Sequence, residues 1–447
     1  MCSRIRHEFI REYSRKDSRM IRDCMEKFWQ KIKIIIEDPN LRKRMIFVIG
    51  ALIIFRLLAA IPIPGVDKAN LAQFLSNNDF LGVLNIFSGG GLSNLSIIML
   101  GVGPYITGSI IMQLLTIMSP KLKAMYSEEG EAGKKKFTQY SRLLTVPLAV
   151  IQGFGLLSLL SKSGVMIDLS PFAQLLNIVV ITAGSILVMW VGELITEYGI
   201  GNGVSLIIFA GIIAQLPSSV TNLAFSFDMS QLLVYIAFAV ATIAVIAGVV
   251  FITEAERPIP VTYAKQIRGN KTSGGVSTYI PLRLNQAGVI PIIFALSILL
   301  FPKMIGTVLA TSSHPILQNI GSVLSSFAQG GLLYGLFYFI LVFIFTYFYT
   351  AVTFDPKAMS ENLQKNGAFV PGIRPGEATA TYVSNILNRI TLVGALFLGL
   401  IAVLPIIMQS VTGIQSLALG GTALLIVVSV VIDLVKKIDA QISMREY

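Results

Sequence analysis

Apolar runs of nearly membrane-crossing length alternate along this chain with shorter polar stretches that hold most of its lysines and arginines. Ten runs stand out: Met45–Ile61, Ile97–Ile117, Leu143–Leu160, Phe172–Val191, Ile200–Leu216, Leu232–Ile252, Ala287–Phe301, Leu332–Phe354, Leu392–Met408 and Leu417–Val435. Each approaches the ~20 helical residues that cover a ~30 Å hydrocarbon layer. The pattern therefore predicts an all-α polytopic membrane protein with ten transmembrane helices. Small residues interrupt it at four places. Phe87-Ser-Gly-Gly-Gly91 precedes the second run and Gly101-Val-Gly-Pro104 breaks into it; Gly199-Ile-Gly-Asn-Gly203 opens the fifth and Gly288-Val-Ile-Pro291 the seventh. Such breaks are tolerated at membrane depth where the backbone is buried in protein or lines a watery cavity. Close packing through small residues is the plainer explanation of any one break, but four together favour a cavity. Breaks in both halves, with five runs in each, suggest an inverted repeat of runs one to five against six to ten.

Composition supports a membrane domain. Of 447 residues, 54% are hydrophobic and 13% charged, and the mean hydropathy is +0.74. Soluble domains carry about 25% charged residues. Charge also sets the expected orientation, because 31 of the 35 Lys/Arg fall in the N-terminal segment, the C-terminal tail and the loops after the second, sixth and eighth runs. Lys68, Lys162 and Lys303 lie on the other side, and Arg56 lies within the first run. Positive residues stay in the cytoplasm, which predicts cytoplasmic termini. The net charge of +11 follows from that asymmetry, with docking of an anionic partner such as a ribosome as the sharper reading.

Other chemistry is sparse. Cys2 and Cys24 are the two cysteines and His7 and His314 the two histidines, so neither a disulfide framework nor a metal site is expected. Residues 1–24 read as a basic extension, with translation starting at Met1, Met20 or Met25. The stretch from Met25 places Phe28, Ile32 and Ile35 at helical spacing among lysines, which suits an interfacial helix. No cleavable signal peptide is expected ahead of it. Within the runs Arg56 stands almost alone, as a functional cation or as an arginine that snorkels or pairs with backbone. Glu193, Glu197 and Asp433 fall at cytoplasmic ends. A secondary transporter of small solutes would also use broken helices, but no midplane acid is present to couple ions. The residues needed for an intramembrane protease and the Gly-rich Lys-Ser/Thr loop of a nucleotide site are likewise missing. Glu128-Glu-Gly-Glu-Ala-Gly133 reads as an acidic cytoplasmic loop, and no enzymatic activity or cofactor is expected.

Seven strings, in order along the chain, resemble the SecY/Sec61-alpha family of protein-conducting channels. They are Ile61-Pro-Ile-Pro-Gly65, Asn85-Ile-Phe-Ser-Gly-Gly90, Gly103-Pro-Tyr-Ile-Thr-Gly-Ser-Ile-Ile-Met-Gln113, Trp190-Val-Gly-Glu-Leu-Ile-Thr-Glu197, Gly199-Ile-Gly-Asn-Gly203, Ala287-Gly-Val-Ile-Pro291 and Gly367-Ala-Phe-Val-Pro-Gly-Ile-Arg-Pro-Gly-Glu377. The resemblance runs from about Met25 to the end. It implies two pseudo-symmetric five-helix halves, 25–216 and 217–447, around an hourglass pore. It also implies translocation of unfolded secretory proteins and lateral insertion of membrane proteins at the bacterial cytoplasmic membrane.

By motif position, the resemblance assigns a hydrophobic pore ring to Val102, Ile106, Val204, Ile208, Ile293 and Ile426. Such a girdle dewets and blocks ions while yielding to a passing chain. A plug half-helix is expected around Phe80–Leu95, with Phe87, Ser88, Gly89, Gly90, Gly91, Leu92, Ser93 and Asn94 at its heart. The lateral gate falls between the second and seventh runs, with Gln113, Val289 and Pro291 as candidate residues. Two cytoplasmic loops, 253–285 and 355–389, resemble the family's docking loops. In the first, Ile259, Val261 and Tyr263 alternate, a turn follows at Gly269-Asn270, and Tyr279–Leu284 is again apolar, which predicts a hairpin. Arg257, Lys265, Arg268, Lys271 and Arg374 are the candidate contacts for the SecA motor and the ribosome. SecE, SecG, a YidC-type insertase, signal peptides, nascent chains and the lipid bilayer complete the expected partners.

Overall fold

The computed structural model describes residues 37–64, 85, 88–127, 129–162, 165, 170–225, 232–264, 266–268, 271–273, 275, 277–288, 290–310, 314–327, 331–412 and 415–443. Cys2, Cys24, His7, the candidate interfacial helix, the Gly269-Asn270 turn, Phe87, Lys265 and Val289 lie outside them. The protein is mostly helical, and helices overlie all ten apolar runs. The first half contains α1 (Pro39–Ala59), α2 (Gly103–Met118), α3 (Pro120–Ser127), α4 (Gly130–Lys162), α5 (Pro171–Tyr198) and α6 (Gly203–Phe225). The second contains α7 (Leu232–Glu254), α8 (Ile290–Ala310), α9 (Pro315–Phe327), α10 (Leu332–Thr353), α11 (Pro356–Lys365), α12 (Glu377–Thr412) and α13 (Gln415–Ser443). Among the described residues, four stretches are long and apolar enough to cross a membrane: Gly130–Ser161, Pro171–Tyr198, Leu333–Lys365 and Glu377–Leu404.

Helix starts follow from local chemistry. At α1, α5 and α11 a capping oxygen precedes a proline in the first turn. Asp38 accepts from the Asn40 N–H at 2.9 Å, Ser170 from that of Ala173 at 3.3 Å, and Asp355 from those of Lys357 and Ala358 at 2.9 and 3.2 Å. The cap satisfies donors that the first helical turn leaves free, and proline costs nothing where its missing N–H would have no partner.

Three boundaries differ from the sequence reading. The second run starts its helix at Gly103 rather than Ile97, because the preceding backbone is committed elsewhere. Ile97 donates to the Ile61 carbonyl at 3.0 Å and Ile63 to that of Leu95 at 2.9 Å, an antiparallel bridge between Pro62 and Ser96. The second candidate loop is shorter than 355–389, since α12 begins at Glu377 and no breaker separates that residue from the apolar run. The acidic string ends in the first turn of α4 rather than in a loop, with Glu131 beside the helix N-terminus, where negative charge is favourable.

The largest core is a single apolar cluster fed by both halves, including Phe55 of α1, Val188 of α5, Ile207 of α6, Ile292 of α8, Tyr338 of α10 and Leu398 of α12. Facing outwards, the helices expose further apolar stripes: Ile46, Ile49, Ile53 and Leu57 on α1, and Leu333, Leu336, Phe337, Ile340 and Ile344 on α10. Apolar inside and apolar outside, with the polar backbone satisfied within each helix, is the pattern required by a hydrocarbon surround.

The chain is not all-α. Strands β1 (Glu256–Tyr263) and β4 (Ser277–Arg283) form the predicted antiparallel hairpin, with β2 (Gln266–Arg268) and β3 (Lys271–Ser273) as a second ladder at its tip. A short β5 (Ala368–Phe369) adds to the free side of β1, so the sheet runs β4-β1-β5. Beneath it Ile259, Val261 and Leu282 pack with Ala368, Val370, Val383, Ile386 and Ile390 in a separate core. Full burial of such side chains is worth about 1.5–3 kcal/mol each. Ile259→Ala is expected to weaken this small core by about 2–4 kcal/mol. Limited proteolysis should then cut the 256–283 hairpin faster while leaving the helices intact.

Candidate functional site

The helix entries beside two small-residue breaks carry four of the six candidate ring positions. Around the first, Val102 is the last residue before α2, and Ile106 follows one turn later behind Pro104. Ser185 on α5 donates to the Gly101 carbonyl at 2.9 Å and holds this entry against the neighbouring helix. The second break ends α5 and starts α6. There Thr196 Oγ1 accepts from the Gly203 N–H at 2.8 Å and donates to the Gly192 carbonyl at 2.9 Å, bracing the turn. Asn202 Oδ1 caps the new helix at Ser205 N, 3.2 Å away, and Val204 and Ile208 follow on one face.

The structure gathers all six candidates into the main apolar cluster. Val102, Ile106, Ile208, Ile293 and Ile426 are buried, and Val204 packs against them partly exposed. They come from α2 and its entry, α6, α8 and α13, and so from both halves of the chain.

Beside this girdle is a recess of about 480 Å³. Ile106, Val204, Ile208 and Ile293 form part of its wall, joined by Tyr105, Ser109 and Gln113 along α2 and by Glu193, Thr196 and Glu197 on α5. The recess is thus apolar at the girdle and polar away from it. Arg142 of α4 also lines it and donates from Nε to Glu193 Oε1 at 2.6 Å, with the glutamate side chain 16% exposed. Neither partner was singled out together from the sequence. The available signal was a cation and an acid, each just outside an apolar run at the same predicted cytoplasmic end.

The described part of the candidate plug, residues 88–94, is a series of turns, and any half-helix before it falls outside the described residues apart from Asn85. Ser88 Oγ donates to the Asn85 carbonyl at 3.1 Å and accepts from Leu92 N at 3.1 Å. The Asn85 side chain grips Ser93 twice, at 2.6 Å to Oγ and 3.0 Å from the backbone N–H. Ser88, Gly89, Gly90, Gly91 and Leu92 are buried, whereas Ser93 and Asn94 are exposed. Arg56 pairs with backbone, as one of its two sequence readings had it: Nη1 donates to the Gly89 carbonyl at 2.8 Å.

At the candidate gate, α2 and α8 are in contact. Gln113 reaches the recess, and its buried Oε1 has no partner among the described residues. Pro291 is buried in the first turn of α8.

The two candidate docking loops are one surface, because β5 of the second completes the sheet of the first. Arg257 and Arg374 are exposed. The Arg374 carbonyl is fixed by Thr379 Oγ1 at 2.8 Å, while its guanidinium takes no ion-pair partner among the described residues. Arg268 and Lys271 face one another in register across β2 and β3. Attention to basic residues missed the aromatic component: Tyr279 is 66% exposed, and Tyr263, Phe369 and Tyr382 are also exposed. Alternation signalled the outward row of Pro258 and Pro260, with Tyr279 opposite Pro260 in register, whereas Tyr263 has the inward parity of Ile259 and Val261 and is exposed at the strand end.

The SecY family pattern matches residues 96–435. A protein translocase subunit SecY of Mycobacterium bovis is 41% identical over 435 residues, covering 92% of this chain and 97% of that relative. The same subunit of Thermus thermophilus is 42% identical over 436 residues, covering 95% and 97%. Two solved channels share the fold. One is a SecY whose plug domain stabilises the closed state and maintains a membrane seal (TM-score 0.59, 20% identity, 91% of this chain and 93% of that one). The other is Sec61 in the canine ribosome–channel complex of the endoplasmic reticulum (TM-score 0.58, 18% identity, 91% and 94%). With the family pattern spanning most of the chain and relatives above 40% identity along nearly all of it, this protein belongs to the SecY family.

Proposed function

We propose that the chain is a protein-conducting channel of the bacterial cytoplasmic membrane, with ten crossing helices in two five-helix halves, 25–216 and 217–447, and both termini in the cytoplasm. The observation that carries this reading is the convergence of Val102, Ile106, Val204, Ile208, Ile293 and Ile426 from both halves on one apolar cluster beside a polar-rimmed recess. An aliphatic girdle excludes hydrated ions because water does not wet it, and flexible side chains part around a polypeptide. The recess is the cytoplasmic vestibule, and residues 87–94 are the plug on the opposite side.

The seam of α2 and α8, with Gln113 and Pro291, is the lateral gate, and Val289 precedes α8 in sequence. Partitioning there sorts clients by their own chemistry. Apolar side chains gain about 25 cal/mol per Å² on leaving water, whereas a charged residue at a helix centre costs about 2.5–3.5 kcal/mol in the membrane. No catalytic group is required, since the work of transport comes from outside. The loop 253–285, with Arg257, Lys265, Arg268 and Lys271 in its sequence, is together with Arg374 the docking surface for the SecA motor and the ribosome; a Sec61 relative of the same fold is seen in a ribosome complex. A SecE-type helix clamping the halves, SecG and a YidC-type insertase are the remaining partners.

The direct test is reconstitution with SecE in liposomes, followed by SecA, ATP and a signal-bearing precursor. Precursor should become protease-protected only when ATP and the signal are both present; an intact complex that protects nothing, beside an active control translocon, overturns the reading. Ile106→Asp or Ile293→Asp should hydrate the girdle and raise resting ion conductance by about tenfold, read in planar bilayers. Arg374→Glu removes charge-assisted contacts worth about 1.5–3 kcal/mol. Motor-driven transport should fall tenfold or more on the order of that energy, while signal-peptide crosslinking stays near wild type.

A further inference from the structure

The segment 88–94 is held at its two ends by different kinds of interaction. At its C-terminal end the hold is backbone pairing: the Pro62–Ser96 bridge, with Ile63 donating to Leu95 and Ile97 to Ile61. Asn94 Nδ2 adds a longer bond to the Ala59 carbonyl at 3.4 Å. At the N-terminal end, the described attachments to the helices are side chains and bare contact. Arg56 Nη1 donates to the Gly89 carbonyl at 2.8 Å. Gln215 Nε2 of α6 reaches the Asn85 carbonyl at 3.5 Å.

The turn itself is built for this approach. Gly89 and Gly90 have φ of 63° and 85°, a region that residues with a Cβ enter at a cost. A Cβ on Gly89 would overlap the Phe55 ring, and one on Gly211 of α6 would fall on the Gly89 backbone. A Cβ on Gly90 would sit 3.2 Å from Arg56 Nη1. Two bare backbones, Gly89 and Gly211, therefore touch directly, and that contact brings the Gly89 carbonyl within reach of the arginine. Arg56 has no ion-pair partner among the described residues, so its described bond is to the segment it holds.

We infer that Arg56 is the latch of the closed state, Gly211 its seat, and the Pro62–Ser96 bridge the hinge about which the segment swings when the channel opens. This rests on the reading of the segment as the plug. The charged donor sits on α1 and the seat on α6, so the latch reports the spacing of two helices of the first half. Any change that moves α1 from α6 by the length of one hydrogen bond releases the plug, while the backbone bridge keeps it tethered for return.

The test measures resting ion leak of the reconstituted complex with its SecE partner. The variants are Arg56→Ala, Arg56→Lys, deletion of Ser88–Asn94, and the deletion combined with Arg56→Ala. Arg56→Ala is expected to raise the leak about threefold or more and Arg56→Lys less, because lysine keeps the charge without the fork. The combined variant should leak no more than the deletion alone, since residues acting through one contact are not additive. Should Arg56→Ala not assemble, Gly211→Val removes the seat from another helix and carries the same expectation. A deletion that stays sealed overturns the plug reading and the latch with it. A leaky deletion beside a quiet Arg56→Ala, or leaks that add in the combined variant, overturns the latch alone.

Discussion

In hydrocarbon a backbone N–H or C=O that leaves a helix has to find another partner inside the protein, and the irregular parts of this chain are arranged around that requirement. The chain leaving α1 and the chain approaching α2 are both non-helical, and they satisfy each other through the Pro62–Ser96 bridge. The Gly89 carbonyl is met by Arg56, the Gly101 carbonyl by Ser185, and the Gly203 N–H by Thr196. Arg56, Ser185 and Thr196, polar side chains placed within apolar helices, thus each serve a backbone group. Such partners let the protein keep non-helical backbone next to its apolar girdle.

The same economy shapes the interior. The six candidate ring residues are all aliphatic, so their contact depends on close packing and exclusion of water rather than on directional bonds. Polar groups line the recess beside it, where Arg142 and Glu193 neutralise one another. An aliphatic contact of this kind is easily deformed and re-formed, because no hydrogen bond has to break when the side chains part. Directional interactions instead surround residues 88–94, where Arg56 donates to the Gly89 carbonyl.

The sheet shows how a modest surface is kept rigid far from the main core. Prolines at 258, 260 and 281 alternate with inward residues, and Pro281 lies on the edge strand β4, where it blunts further strand pairing. Outward prolines and aromatic rings therefore rest on a small core shared with α12. Arg374 is presented from the turn that connects this core to α12, a long helix of the second half.

Much of this was legible in the sequence. Hydrophobic periodicity and run length marked every long helix, because a lipid surround demands apolar residues on all outward faces and leaves little room for ambiguity. Alternation gave the β1–β4 hairpin for the same local reason. The small-residue breaks marked the non-helical entries to α2 and α6, since only glycine and proline signal non-helical backbone so plainly. Long-range partners were not legible. That β5 would complete the sheet of a loop about a hundred residues earlier, that Arg142 would face Glu193, and that Arg56 would choose the Gly89 carbonyl all depend on which helices lie side by side. The helix starting at Gly103 rather than Ile97 was decided by a bond to Ile61 on another segment. The sequence by itself determined the helices, their apolar character and the expected charge asymmetry, because these arise within a few turns of chain. Only the tertiary structure decided how the interior polar groups are paired, because a hydrogen bond depends on distance and angle between segments that the one-dimensional pattern does not bring together.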